Sequence, residues 1–157
     1  MITGLKPRGF TWVIANRLAV SERIGGHGFQ HRRVRREEEI NWLVREGGLT
    51  TVVTLLGGNQ NRAAYEAAGL DTYTVPISGE PGRIDPKPLF DLLDRLLSEP
   101  QTKVLVHREI IDDVLGGLLG GYLVASGLVK DPILASALIQ EILGRALGPE
   151  GRALIRG

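Results

Sequence analysis

Nine consecutive residues, His107, Arg108, Glu109, Ile110, Ile111, Asp112, Asp113, Val114 and Leu115, gather an imidazole, a guanidinium and three carboxylates in one stretch. Groups of these types suit general acid–base work or a hard cation. A metal site would need further ligands at supporting intervals, which the sequence lacks, and His27, His31 and His107 form no ligand pattern. Glu109, Asp112 and Asp113 together set a local field that opposes an anion. A nucleophilic Asp112 or Asp113 would call for a metal or a cation cluster to offset charge; no such cluster is visible in the sequence, though Arg108 and Arg83 could converge in space. The plainer role for Asp112 or Asp113 is to cap a following helix. The chain has 0 Cys, so thiolate nucleophiles, thiolate metal sites and disulfides are excluded together.

The elements that must position this stretch flank it directly. Val104, Leu105 and Val106 form a short apolar run rich in β-branched residues, the pattern of a strand buried on both faces. From Val114 to Ser126 the sequence VLGGLLGGYLVAS is apolar all round, which predicts a core helix too short to span a bilayer. Gly116, Gly117, Gly120 and Gly121 cost helix propensity, and close approach of neighbouring backbones is the expected compensation. Strand, loop and helix N-terminus in that order commonly bind anions, because free N–H groups and the positive end of the helix dipole converge there.

HREIIDDVLG, His107 to Gly116, resembles the signature loop of the protein tyrosine phosphatase superfamily, in its dual-specificity branch, whose pattern is H-C-x-x-G-x-x-R-(S/T)-G. His107 and Gly116 match without a gap. Arg108 stands at the position of the nucleophilic Cys, Ile111 at the Gly, Val114 at the phosphate-clamping Arg and Leu115 at the hydroxyl residue. Arg offers neither a lone pair nor a proton it can lose at neutral pH, and Val114 offers methyl groups in place of a bidentate fork. The family's general-acid loop follows a P-I-x-D-type motif. Pro76 and Ile77 are present, Ser78 and Gly79 occupy the positions of the expected Asp, and Glu80 and Asp85 are nearby carboxylates that could serve only if the loop is rearranged. A hydrogen-bonded, buried structural role is expected for His107. The resemblance therefore implies a catalytically inactive phosphatase-like domain kept as a binding or regulatory module, with no cofactor and no metal. The alternative is an active hydrolase of the family acting through a rebuilt loop.

The rest of the chain supplies the scaffold. FTWVIANRLA, from Phe10 to Ala19, reads as a hairpin or a pair of edge strands, and its W-V-I and L-A-x-S-x-R elements resemble the family's opening. HRRVRR, His31 to Arg36, could meet a phosphorylated partner, but Glu37, Glu38 and Glu39 follow at once and favour a solvated, mutually paired surface. The same glutamates suit the first turn of a helix over Arg36–Glu46 that buries Ile40, Leu43 and Trp42 and ends at Gly47 and Gly48. Strands are expected over Thr50–Leu56 and Asp71–Ile77, and helices over Asn61–Ala68, Pro86–Ser98 with Asp85 as its cap, Pro132–Leu143 ended by Gly144, and Pro149–Ile155. Repeated strand–helix units imply an α/β fold, a central, mostly parallel sheet of four to five strands with helices on both sides, as one domain over 1–157.

A length of 157 residues suits one domain, and a formal net charge of +1 gives no pull toward nucleic acid or membrane surfaces. No signal peptide or spanning segment is visible, so a cytoplasmic location is expected, and the richness in Ala, Gly, Leu, Val and Arg hints at a bacterial source. The expected partner is an unspecified protein or small molecule.

Overall fold

The computed structural model describes residues 4–26, 31–57, 61–77 and 82–156. Along the chain run β1 (Thr11–Ile14), β2 (Leu18–Ser21), α1 (Arg33–Arg45), β3 (Thr51–Thr54), α2 (Arg62–Ala67), β4 (Asp71–Thr74), α3 (Lys87–Leu97), β5 (Val104–His107), α4 (Asp113–Ala125), α5 (Pro132–Leu143) and α6 (Pro149–Ala153). The chain divides into two compact units, Met1–Ile77 with Glu99–Ile111, and Ser78–Ser98 with Asp112–Gly157.

The first unit contains a five-stranded sheet in the order β1-β2-β5-β3-β4. β1 and β2 form an antiparallel hairpin, turned at Asn16 with φ +60°, and every other pairing is parallel. β1 is thus an edge strand, whereas β2 lies inside the sheet. Ala19, Val52 and Leu105, from three adjacent strands, join Ile40 and Leu43 of α1 and Tyr65 of α2 in one apolar cluster. The alternate positions Leu18, Val20, Val53, Val104 and Val106 are also wholly buried, so the central strands are covered on both faces, as continuous apolar runs require. β4, the other edge, has half-buried Thr72 and Tyr73 between exposed Asp71 and Thr74.

α1 begins at Arg33, not Arg36, and its first turn carries no acid. The expectation that Glu37 to Glu39 complement the helix dipole is therefore overturned. These residues lie one turn further in, where Glu37 pairs with Arg33 at 3.1 Å and Glu39 with Arg35 at 3.2 Å. Such pairs four apart stabilise the extended helix. Glu39 is only 1% exposed, because its carboxylate also accepts the Gly25 N–H at 2.6 Å. Trp42 is half-buried at the margin of the apolar cluster, its ring 4.8 Å from that of Phe10 in an edge-to-face arrangement. Gly48, at φ +68°, closes the helix as expected.

In the second unit, α3 buries Leu89, Leu92, Leu93 and Leu96. α4 buries nine consecutive residues from Leu115 to Leu123, all four expected glycines among them. Their compensation is close approach: a Cβ on Gly117 would collide with the backbone of Gly151 in α6, and one on Gly121 would lie 2.5 Å from the Leu154 carbonyl oxygen. On the same helix Tyr122 donates its hydroxyl to Asp94 of α3 at 2.9 Å. α5 starts at Pro132, its first turn capped by the Asp131 carboxylate on the Ile133 N–H, and ends at Gly144 in the left-handed conformation, as the sequence predicts.

Candidate functional site

β5 delivers His107 to the C-terminal end of the sheet, and its register with β3 sets Thr54 directly beside it. His107 is 2% exposed and both ring nitrogens are engaged. Nδ1 lies 3.1 Å from the Arg108 carbonyl, which can only accept, so Nδ1 carries the proton and Nε2 accepts from the Thr54 hydroxyl at 3.0 Å. Burial is the main reason that its pKa is lowered to about 4. The Arg108 carbonyl opposes that shift, Arg23 reinforces it and Glu109 opposes it. The imidazole is accordingly neutral and fixed at physiological pH, in keeping with a structural role.

Arg108 follows, and its Nη2 donates to the Ile77 carbonyl at 3.3 Å. Glu109 receives Arg23 twice: its carboxylate lies 3.1 Å from Arg23 Nη1, and its carbonyl accepts the Arg23 N–H at 3.2 Å. Ile110 is 44% exposed. Ile111 folds its Cδ1 over Gly9, where a Cβ would approach to 2.7 Å; Gly9 itself has φ +73°. The side chain at 111 thus occupies space against the turn that precedes β1.

The remaining residues of the stretch belong to the second unit. Asp112 is the N-cap of α4, its carboxylate accepting the Leu115 N–H at 2.9 Å. Asp113 has a role that the sequence did not suggest. Its Oδ1 accepts the Gly148 N–H at 2.6 Å and its Oδ2 the Gly151 N–H at 2.7 Å, so one carboxylate satisfies two of the free donors at the start of α6. Glu109, Asp112 and Asp113, expected to act together as a field against anions, each have a local partner, a guanidinium in the first case and backbone N–H groups in the other two. Val114 is half-buried and Leu115 fully buried. Val114 lines a pocket of about 290 Å³ together with Ile84, Pro149, Glu150, Leu154 and Arg156.

Of the acid-loop candidates, Ser78, Gly79 and Glu80 lie outside the described residues. Asp85 is exposed, and its carboxylate accepts the Lys87 N–H at 3.0 Å, holding the start of α3. No group of three or more His, Asp or Glu residues that could hold a metal ion occurs among the described residues. Nor, among them, is any helix long and apolar enough to cross a membrane.

Sequence reasoning also missed a buried polar group in the first unit. Asn61 is 3% exposed; its amide donates to the Ile24 carbonyl at 2.9 Å and its oxygen lies 3.3 Å from His31 Nε2. Beside it the wholly buried Tyr65 has its pKa raised, chiefly by burial, so the phenol stays protonated. An Asn at the start of a short helix looks like an ordinary cap, and nothing local marks it as the hub of a buried cluster.

No protein-family model matches the chain, and no curated protein sequence matches it. Solved structures do. The core catalytic domain of the PP-IP phosphatase SIW14 from S. cerevisiae superimposes with a TM-score of 0.71 at 16% identity, over 98% of this chain and 87% of that one. P. aeruginosa TpbA in complex with pTyr gives 0.67 at 19% identity, over 92% and 81%. Human DUSP28 gives 0.66 at 16%, over 96% and 92%. With five strands, four of them mutually parallel, and six helices among the described residues, this chain has the fold of the protein tyrosine and dual-specificity phosphatases.

Proposed function

We propose that the chain is a phosphatase-fold domain without phosphatase activity, serving as a binding or regulatory module. The observation that carries this reading is Arg108, the residue after the His107 that ends β5, where the resemblance puts the nucleophile. Its guanidinium has no electron pair to give to phosphorus and no proton to lose at neutral pH, and with 0 Cys in the sequence no thiolate can replace it. Val114 and Leu115 bring no fork and no hydroxyl where the family's phosphate clamp is expected. Against an aspartate as substitute nucleophile speak the Asp112 carboxylate, which caps α4, and both oxygens of Asp113, which accept backbone N–H groups. In another enzyme the loss of one nucleophile alone lowers turnover by ~10⁶.

The pocket beside Val114 supports an apolar ligand group, since Ile84, Val114, Pro149, Ala153 and Leu154 form its walls, while Glu150 and Arg156 bring one charge of each sign to its lining.

The test is hydrolysis of an aryl phosphate by the parent and by the quadruple variant Arg108→Cys, Ile111→Gly, Val114→Arg, Leu115→Thr. The parent is expected to give no turnover and the variant to gain it. Turnover by the parent, or a phospho-aspartate trapped on it, would overturn the reading and establish a loop rebuilt for catalysis.

A further inference from the structure

α5 is a helix whose outward face does not fit a solvated surface. Ile133 is 80% exposed and Leu134 51%, Ala137 is exposed and Leu138 half-exposed, while Ala135 and Ile139 on the opposite side are fully buried. An amphipathic helix would carry charge on that outer stripe. Here charge appears only at the ends, with exposed Lys130 and the N-cap Asp131, whose carboxylate is turned onto the Ile133 N–H, just before the helix and an exposed Glu141 in its last turn. Among the described residues neither Lys130 nor Glu141 takes part in an ion pair.

The placement of these residues has a symmetry of its own. About the midpoint between Ala135 and Ser136, Lys130 mirrors Glu141, Ile133 mirrors Leu138 and Leu134 mirrors Ala137. A twofold axis through that point lays the stripe antiparallel on a copy of itself. Each large side chain then faces a smaller or half-sunk one, and each end charge faces its opposite. Isologous contacts need this kind of self-complementarity.

We infer that the outer face of α5 is a self-association surface on which a second copy of this chain seats antiparallel, with Lys130 of each copy against Glu141 of the other. A lipid surface fits the stripe less well. Interfacial helices carry several Lys or Arg along the polar flank, whereas α5 itself has no basic residue. A formal net charge of +1 leaves little repulsion between copies. The contact is limited in extent, because 12 residues span only about 18 Å. That is well short of the ~800 Å² per partner of a standard stable interface, so the dimer is weak and concentration-dependent.

Sedimentation equilibrium of the full chain over a wide concentration range tests the inference. Reversible monomer–dimer behaviour is expected, and Ile133→Asp should abolish it with the helical circular dichroism unchanged, since the residue projects into solvent. Lys130→Glu and Glu141→Lys should each weaken self-association by roughly tenfold, because each converts two attractive contacts into repulsive ones. Mixing these two single variants should restore dimers, since the mixed pair regains both opposite-sign contacts. A parent that stays monomeric throughout, or a mixture no stronger than either variant alone, overturns the inference. So does a monomeric parent that binds neutral phosphatidylcholine vesicles through Ile133, which would make the face a membrane surface.

Discussion

Protonating His107 means placing a charge where water does not reach, and its sign can be worked through. The folded pKa is about 4, against an ordinary value of 6.5, so between these limits the unfolded chain binds the additional proton and the folded chain does not. The contribution of this residue is complete above pH of about 6.5, is lost progressively as the pH falls, and levels off below about 4, amounting to ~3 kcal/mol over the window. Urea unfolding of the parent and of His107→Gln should diverge in pH dependence within that window, the variant curve being the flatter. Parallel curves would show that the ring is reached by solvent. His107 and the cap at Asp112 were legible in the sequence because their surroundings are local: an apolar run before one, a helical pattern after the other. Glu39 and Asp113 were not. Glu39 sits in a run of three glutamates that looks like a solvated face, yet Gly25, 14 residues earlier, supplies the N–H that buries it. The donors for Asp113 lie 35 and 38 residues further on, beyond any local pattern.

Helix α6 is the element most dependent on others. Five residues cannot sustain a helix alone in water, so its geometry is imposed from α4 through the Asp113 carboxylate and through the glycine contacts at Gly117 and Gly121. Asp113→Asn keeps the shape but provides one acceptor oxygen where there were two, and turns an amide NH₂ toward a backbone N–H. A loss of about 1.5–3 kcal/mol is expected, the range for hydrogen bonds to a charged group. The amides of Gly148 and Gly151 should lose hydrogen-exchange protection first, while those of β5 keep it. Protection lost uniformly over the chain would instead make Asp113 a global determinant. At this scale the sequence announced the glycine-rich helix and the need for a close neighbour, but not which segment the neighbour was. α1 was misplaced by three residues because its N-terminal turn is built from arginines, which the dipole disfavours and the pairs to Glu37 and Glu39 offset.

For the molecule as a whole, the alternation of strands and helices implied parallel pairing, and four strands obey it. The place of β5 between β2 and β3 was not legible, because it depends on pairing between segments far apart in the sequence. Ligand linkage acts at this same scale. Any ligand that binds only the folded chain raises the unfolding free energy by an amount set by its saturation, ~2.7 kcal/mol at a hundred times Kd. For a chain of 157 residues that corresponds to a rise in Tm of roughly 5–10 °C. Phosphotyrosine should therefore leave the Tm of the parent unchanged and raise that of the variant Arg108→Ser, Ile111→Gly, Val114→Arg, Leu115→Thr, which regains the clamp but has no thiolate to turn the ester over. Inorganic sulfate is a poor substitute, since its exclusion from protein surfaces stabilises any fold. Equal rises in parent and variant would mean that the loop still cradles phosphate through its backbone alone, and the proposed ligand class would have to be abandoned even if catalysis remained absent.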